Sequence, residues 1–346
     1  MAPRERLNGV SGVIPAAKLR AFALAAGFDA VGFARAEPID PRHLAQWLEA
    51  GHHAHLDWMT LKLAERLDIS QLLPGAKTVI ALASNYWRTD APSPIARYAR
   101  GRDYHATGRD RIRALRRAIR AEWPDTHDYA SVDAGPVMEK VWAARAGLGF
   151  VGKNSCFITP ELGSWVVLAT MTLDAEVEAH AYAGGPTADQ CGRCTLCITS
   201  CPTGAIVADQ VVDAGLCLSY QTIENTDPVP EALRISMPNI VFGCDICQDV
   251  CPLNASPLLG PERFAPRAFS ALSVTQLAAM TAEQYQQLVP GSPLARAGFN
   301  GLRRNAAYAL GAMGATTLAV KQTLSQLASD PDAGVAEAAA WALTRL

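Results

Sequence analysis

The sequence predicts an α+β multidomain protein built from three successive parts. Helix and strand patterns alternate to about residue 180. Eight of the nine cysteines then crowd into one block, and the tail is Ala-rich and helical. A chain of 346 residues has room for two or three domains, and the composition shifts place their boundaries at 1–180, 181–262 and 263–346.

The first part opens with a helical stretch, Ala16 to Ala26, stopped by Gly27 as a C-terminal cap. Phe28 to Ala34 reads as a strand, and Thr78 to Tyr86 as a stronger one, apolar enough for a buried sheet. Arg109 to Ala121 and Pro136 to Ala146 read as helices, the second ending at Gly147. Cys156–Thr159 and Trp165–Leu173 flank the turn TPELGS and predict a hairpin. An Ala/Gly/Pro linker, AYAGGPTAD, leads into the cysteine block, which leaves little room for regular structure. In the tail, Leu302–Met313 and Gly334–Leu346 are helices with a third between them. RRNAAYALG and AEAAAWALT recur at about thirty residues, the spacing of HEAT-type helical repeats.

Composition narrows the function. About half the residues are apolar and 18% are charged, so a sizeable core forms. A formal net charge of −2 gives no global nucleic-acid signal, so any basic surface must be local. The N-terminal MAPRERLNGVSGVIP lacks a signal-peptide apolar core, and Glu5 separates Arg4 from Arg6, so there is no twin-arginine pair. No apolar run approaches the ~18 residues of a spanning helix. The expectation is a soluble, cytoplasmic chain with no membrane partner, in which clustered cysteines bind metal rather than pair as disulfides.

CGRCTLCITSCP places Cys191, Cys194, Cys197 and Cys201 before Pro202 in the bacterial ferredoxin spacing C-x2-C-x2-C-x3-C-P. Cys217 follows, and CDICQDVCP then repeats the ending with Cys244, Cys247 and Cys251 before Pro252. Three thiolates of one loop grip three corners of a 4Fe–4S cubane. In two-cluster ferredoxins the cysteine before Pro serves the other cluster. The spacing therefore assigns Cys191, Cys194, Cys197 and Cys251 to one cluster, and Cys201, Cys217, Cys244 and Cys247 to the second. Isolated C-x2-C pairs would suit zinc; a run of four with two Cys-Pro endings suits iron–sulfur. Cys156 is left over and reads as a small buried hydrophobe.

These motifs, together with AERLDISQLLPGAKTVIALASNYW, GRDYH and VDAGPVMEKVWAARAGLGFVGKNSCFITPELGSW, resemble those of epoxyqueuosine reductases. These are cobalamin-dependent iron–sulfur enzymes of tRNA modification, and the resemblance runs from the first helix to the terminal repeat. It implies an α/β cobalamin-binding core related to reductive dehalogenases, a two-cluster ferredoxin module, and HEAT-like repeats that help hold tRNA. The implied activity is reduction of epoxyqueuosine to queuosine at the anticodon wobble position, the last step of queuosine biosynthesis. Electrons would pass from an external donor of flavodoxin or ferredoxin type through both clusters to cobalamin.

The resemblance puts the proton donor on Asp133, in SVDAGP. It puts cobalamin contacts on Asp133 and on Arg66, Ala96, Lys153, Asn154, Phe157 and Leu168. From the ferredoxin side, Ser219 and Asp245 would reach the corrin. Opening an epoxide leaves an alkoxide that an acid must protonate, and a carboxyl desolvated beside a flat apolar ring suits that task. The rival readings are another cobalamin–iron–sulfur reductase, such as a reductive dehalogenase, and a plain iron–sulfur electron carrier. The first typically carries an export signal, and the second needs no large α/β core.

Two further stretches stand out. Asp103-Tyr104-His105-Ala106-Thr107-Gly108 matches D-x-H-x-x-G, the string by which some mutases and methyltransferases give cobalt a His ligand. No Ser-x-Leu follows at the required distance, so His105 is expected near the substrate or in packing instead. Arg97 to Arg120 holds nine arginines against two acids, Asp103 and Asp110. This is the stretch expected to meet tRNA phosphates, through Arg97, Arg100 or Arg102 in particular. Tyr98 and Tyr104 are candidates to stack a base, and Arg303 and Arg304 are expected to extend the basic surface.

Overall fold

The computed structural model describes residues 13–89 and 91–346; Arg4, Glu5 and Arg6 lie outside the described residues. The first part contains, in chain order, α1 (Ala16–Ala25), β1 (Ala30–Arg35), α2 (Arg42–Glu49), α3 (Leu63–Leu67) and β2 (Thr78–Asn85). It continues with α4 (Tyr104–Glu122), β3 (Asp128–Ser131), α5 (Glu139–Arg145), β4 (Phe150–Val151), β5 (Phe157–Ile158) and β6 (Val166–Leu173). Four strands make one sheet in the order β1-β2-β6-β3, with every neighbouring pair antiparallel.

Every residue of β2 is buried because both faces of the sheet are covered. Ile80 and Leu82 pack with Leu19 of α1 and with Ile112 and Leu115 of α4. Val79 and Ala81 face the other way, onto Trp142 and Ala143 of α5. That alternation is the period of two of a strand, so a wholly apolar β2 serves two cores at once.

Two expectations change. The predicted hairpin does not form: β5 pairs back with β4, while β6 runs between β2 and β3. Only a bridge between Thr159 and Gly163 closes the TPELGS turn. β6 is apolar enough to occupy the sheet interior, and there both of its edges are already taken. Helix α4 also starts five residues before Arg109, because the Asp103 side chain caps it by accepting from the His105 N–H at 2.9 Å.

The cysteine block holds only short elements: α6 (Leu196–Thr199), β7 (Ile206–Ala208), β8 (Val211–Val212), α7 (Leu218–Ile223), α8 (Glu231–Arg234) and α9 (Ile246–Asp249). Five helices follow: α10 (Val274–Ala278), α11 (Ala282–Leu288), α12 (Gly298–Met313), α13 (Leu318–Leu327) and α14 (Ala333–Leu343). The tail does not keep its core to itself. Leu302, Leu310 and Ala338 share one apolar cluster with Leu218, Met237 and Phe242 of the cysteine block and with Ile95. Among the described residues no helix is long and apolar enough to cross a membrane.

Arg304 is the polar rivet of this joint. It is 4% exposed. Its guanidinium donates to the carbonyls of Asp227 at 2.9 Å and Asn225 at 2.8 Å. Its neighbour Asn305, fully buried, donates to Thr222 O and Val241 O. Arg303 is likewise occupied, by Asp330. Neither extends a basic surface: Arg304 is buried because α12 packs against the cysteine block, and Arg303 is half-buried, held by Asp330 within the tail. Replacing Arg304 with Ala leaves several buried carbonyls without a donor, and each orphaned group costs about 1–3 kcal/mol. The Arg304→Ala protein should therefore unfold at clearly lower urea concentration than the parent; an unchanged midpoint would contradict this account of the joint.

Candidate functional site: a cysteine cage beside a carboxylate loop

The eight cysteines fall into two groups. Cys191, Cys194, Cys197 and Cys251 line one cavity of about 70 Å³, together with Lys153 and Asn154. Cys251 lies within electrostatic reach of Cys191, Cys194 and Cys197. On the other side, Cys217 lies within reach of Cys201 and Cys247, and Cys244 within reach of Cys217 and Cys247. Cys247 also faces Cys197 and Cys251, so the two groups adjoin. Among the described residues no three Cys, His, Asp or Glu side chains close on a single-ion site. The first group instead surrounds a space, the arrangement a cubane with a thiolate at each iron needs. Burial pushes the Cys217 and Cys244 thiols up, Cys244 to about 12, so these thiols hold their protons until a cation displaces them.

Local geometry aims the second cysteine segment at the α/β core. Gly243 has φ +69°, and a Cβ there would lie 2.6 Å from the Ala96 Cβ. Only glycine permits that approach. It lets Phe242 bridge Ile95 and lets Asp245 accept from the Arg97 backbone N–H at 2.7 Å. Asn154 closes the seam, donating to Cys247 O at 3.3 Å and accepting from Cys156 N at 3.2 Å. Cys156 is thus half-buried and set against Cys247, rather than in the apolar interior. Ser219 follows Cys217 at the start of α7 and is half-buried.

The remaining expected site residues lie on several elements of the core. Phe157 and Leu168 belong to one apolar cluster, on β5 and β6. Lys153 pairs with Asp209 at 3.4 Å. Ala96 and Arg66 are buried. The Arg66 guanidinium donates to Trp58 O at 2.9 Å and lies over the Trp58 ring. Its segment exposes Trp58, Leu61 and Leu63 at 46%, 61% and 38%, an apolar surface that no motif in the sequence announces.

Asp133 sits in the loop after β3 with φ +51°, a left-handed conformation that Asp tolerates better than most side chains. Its side chain is 62% exposed. The Tyr104 hydroxyl donates to its Oδ2. His105 Nε2 stands 3.9 Å from the same oxygen. Gly108 makes this possible: a Cβ there would lie 2.5 Å from Val132 Cγ1, so α4 can press its first turn against the end of β3. Behind the loop, Glu139 accepts from Ser131 Oγ at 2.8 Å. Burial, then the charge of Asp133, pushes Glu139 up to about 7. Tyr98 lies within electrostatic reach of both Asp133 and Asp245 and packs edge-on against Tyr104, the donor to Asp133.

The arginine stretch divides by burial. Arg100 is 7% exposed and donates to Ile95 O and Ala91 O at 2.8 Å. Arg97 is held by Asp245 and Asp249 and lies over Trp165. Two of the three arginines expected to meet phosphates, Arg97 and Arg100, are therefore structural, because their chain segment forms the joint with the cysteine block. Arg111 is buried as well, under α4. Arg102, Arg109, Arg113, Arg117 and Arg120 are exposed. Arg109, Arg113 and Arg116 line a cavity of about 370 Å³ together with Ser131, Ala134 and Gly135 of the Asp133 loop.

Comparison with known proteins places this geometry. Residues 190–254 match the family described as a 4Fe-4S double cluster binding domain, which makes this block a double-cluster domain. Residues 66–134 match the family described as "Epoxyqueuosine reductase QueG, DUF1730". An epoxyqueuosine reductase of Gloeobacter violaceus is 42% identical over 86% of this chain and 97% of its own length. That of Escherichia coli K12 is 36% identical over 86% and 80%. The crystal structure of an epoxyqueuosine reductase with an epoxyqueuosine-modified tRNA-Tyr stem loop superposes with a TM-score of 0.87 at 28% identity. That superposition covers 95% of this chain and 89% of the other. A Bacillus subtilis epoxyqueuosine reductase whose catalytic Asp loop is swung out of the active site superposes at 0.84, also at 28% identity. With relatives this similar over nearly their whole length, the chain belongs to the epoxyqueuosine reductase family.

Proposed function

We propose that the protein reduces the epoxide of epoxyqueuosine, at the wobble position of a tRNA anticodon, to the alkene of queuosine, with Asp133 as proton donor. The observation that carries this reading is the docking of the double-cysteine block, through Asp245 and Cys247, on the core segments Arg97 and Asn154, with Tyr98 and Tyr104 leading from that joint to Asp133. A relative crystallised with an epoxyqueuosine-modified tRNA stem loop supports the substrate. Residues 1–180 would form the catalytic core, 181–262 the electron-supply module and 263–346 a helical buttress.

The residues around the seam suit a large flat macrocycle. Phe157, Leu168 and the exposed Trp58, Leu61 and Leu63 offer apolar contact, while Arg66, Lys153, Asn154, Ser219 and Asp245 offer polar groups for its periphery. Bound there, cobalamin supplies a low-valent cobalt as reductant. The chain itself supplies the rest. Thiolates of Cys191, Cys194, Cys197 and Cys251 hold one cluster, and those of Cys201, Cys217, Cys244 and Cys247 the other. Tyr104 orients the Asp133 carboxyl by donating to Oδ2, which leaves Oδ1 for the substrate oxygen. An external donor of flavodoxin or ferredoxin type refills the clusters.

Activity on epoxyqueuosine-containing tRNA is the direct test. Asp133→Asn should keep both clusters and bound cobalamin in the optical spectrum yet turn over about 10²–10⁴-fold more slowly, the usual worth of a general acid. Near-parent turnover would sink the role of Asp133.

Cross-ligation has its own signature. Cys251→Ala should destroy the cluster held by Cys191, Cys194 and Cys197, and Cys201→Ala the other. Paramagnetic resonance of the reduced protein distinguishes them, and loss of only the second cluster in Cys251→Ala reverses the assignment.

The tRNA surface is proposed on the exposed side of α4. Taking away one arginine that neutralises a phosphate should make the log–log salt dependence of tRNA binding shallower by about 0.7. Arg109→Ala and Arg117→Ala are expected to do this without loss of stability. Identical salt slopes for both variants and the parent would leave this face merely solvated.

A further inference from the structure

Reducing an epoxide to an alkene takes two electrons and two protons, and the oxygen leaves as water. Asp133 can hand over only one proton before it must be recharged. The first opens the ring as the alkoxide becomes a hydroxyl; the second lets that hydroxyl depart as water. The electrons come from the clusters that the proposed function already requires. A bound tRNA anticodon and cofactor would shut bulk water away from the exposed Asp133 side chain, so the second proton needs an internal route.

One side chain is built for that task. His105 Nδ1 is 2.8 Å from Asp103 Oδ1. Asp103 is itself fixed, because the same oxygen caps α4 by accepting from the His105 N–H. A carboxylate at Nδ1 holds the proton on that nitrogen and fixes the tautomer and orientation of the ring. The other ring nitrogen, Nε2, points to Asp133 Oδ2 at 3.9 Å, an ion-pair separation that a small turn of the exposed Asp133 side chain shortens to a hydrogen bond. The ring cannot swing away freely, since Tyr104 stacks on it at 4.1 Å. At 27% exposure the His105 side chain still touches solvent, from which it can be reloaded.

We infer that His105, anchored by Asp103, is the positioning residue that recharges Asp133 for the second proton transfer. The sequence of events balances. The Asp133 carboxyl gives its proton to the opening epoxide oxygen and becomes a carboxylate. The His105 imidazolium passes the Nε2 proton to Oδ2 of that carboxylate, and a half-turn of the exposed carboxyl brings the protonated oxygen to the substrate side. Asp133 then protonates the departing hydroxyl, water leaves, and His105 takes a fresh proton from solvent. The inference rests on the proposed function, because only a two-proton reaction needs the second delivery.

Every charged or titratable group around His105 is consistent with this role. Asp103 and Asp133 flank it. Tyr104 on its face is pushed up by burial and stays a neutral donor. Tyr98 lies edge-on beyond Tyr104 and is pushed up likewise. The Glu224–Arg296 ion pair is within electrostatic reach of these tyrosines. Glu139 lies behind Asp133, with its carboxyl turned to Ser131.

The test is single-turnover reduction of an epoxyqueuosine-containing stem loop by chemically pre-reduced holoenzyme, so that external electron supply is not limiting. His105→Ala should slow the reaction about 10–100-fold, towards the lower end of what proton transfer is worth. The KM for the stem loop and both cofactor spectra should stay as in the parent. Added imidazole should restore the rate in proportion to its concentration. His105→Gln, which keeps a hydrogen bond to Asp103 but carries no transferable proton, should stay slow. Parent-like rates in either variant, or a slow His105→Ala enzyme that imidazole does not rescue, overturn the relay. An independent reading comes from ¹⁵N resonances of the histidine rings in the cofactor-free chain. Asp103→Asn should change the tautomer balance of the His105 ring, and unmoved ring resonances count against the anchor. A parent chain that leaves epoxyqueuosine untouched fails at a different point: it removes the proposed function, and the relay with it.

Discussion

A buried carboxylate joins the two halves of this protein. The Asp245 side chain is 8% exposed, sits one residue after a cysteine of the second motif, and accepts from the Arg97 backbone and guanidinium. Burial pushes its carboxyl up, and Arg97 pulls it back towards the charged form. Such a pair adds little net stability, yet removing one partner strands a charge in a poor dielectric at a cost of about 3–5 kcal/mol. Its contribution is register. It pins Ala96 and Arg97 to the cysteine segment, so a core that carries the acid and a module that carries the thiolates meet in one arrangement.

The same joint explains why the basic stretch is not a uniform surface. Arg97 and Arg100 belong to the seam and are used up by Asp245, Asp249 and backbone carbonyls. Beyond Asp103 the chain becomes a helix, and from there the period of 3.6 decides which arginines reach water. Arg111 turns in to Ser84 and Thr107, and Arg116 half-covers Asp128. Arg109, Arg113, Arg117 and Arg120 turn out. The cavity beside the Asp133 loop thus acquires its positive rim from helical geometry, in a chain whose overall charge is slightly negative.

Close approach does the rest. Gly108 and Gly243 each stand where a Cβ would meet a neighbour at 2.5–2.6 Å. The first lets the capped start of α4 touch the Asp133 loop; the second lets the cysteine segment touch Ala96. With Asp133 in a left-handed conformation, the acid is over-determined by its surroundings, as strained residues at reactive sites commonly are.

Much of this was legible in the sequence. The spacing of CGRCTLCITSCP and CDICQDVCP is a local property of one loop each, and three thiolates within seven residues can hardly avoid a common centre. Strand β2, helix α1 and the Ala-rich tail followed from local composition and stop signals alone. The resemblance singled out Asp133, and the motif GRDYH put its last residue, His105, near the substrate or in packing. Tertiary structure decided the remainder, because it depends on contacts across long stretches of chain. Nothing local says that β6 pairs with β2 rather than with β5, that Arg304 serves carbonyls some eighty residues away, or that His105 faces Asp133. Spacing fixes what one loop can grip; which loops face each other is set by the burial of both faces of one sheet and by a few glycines that let backbones touch.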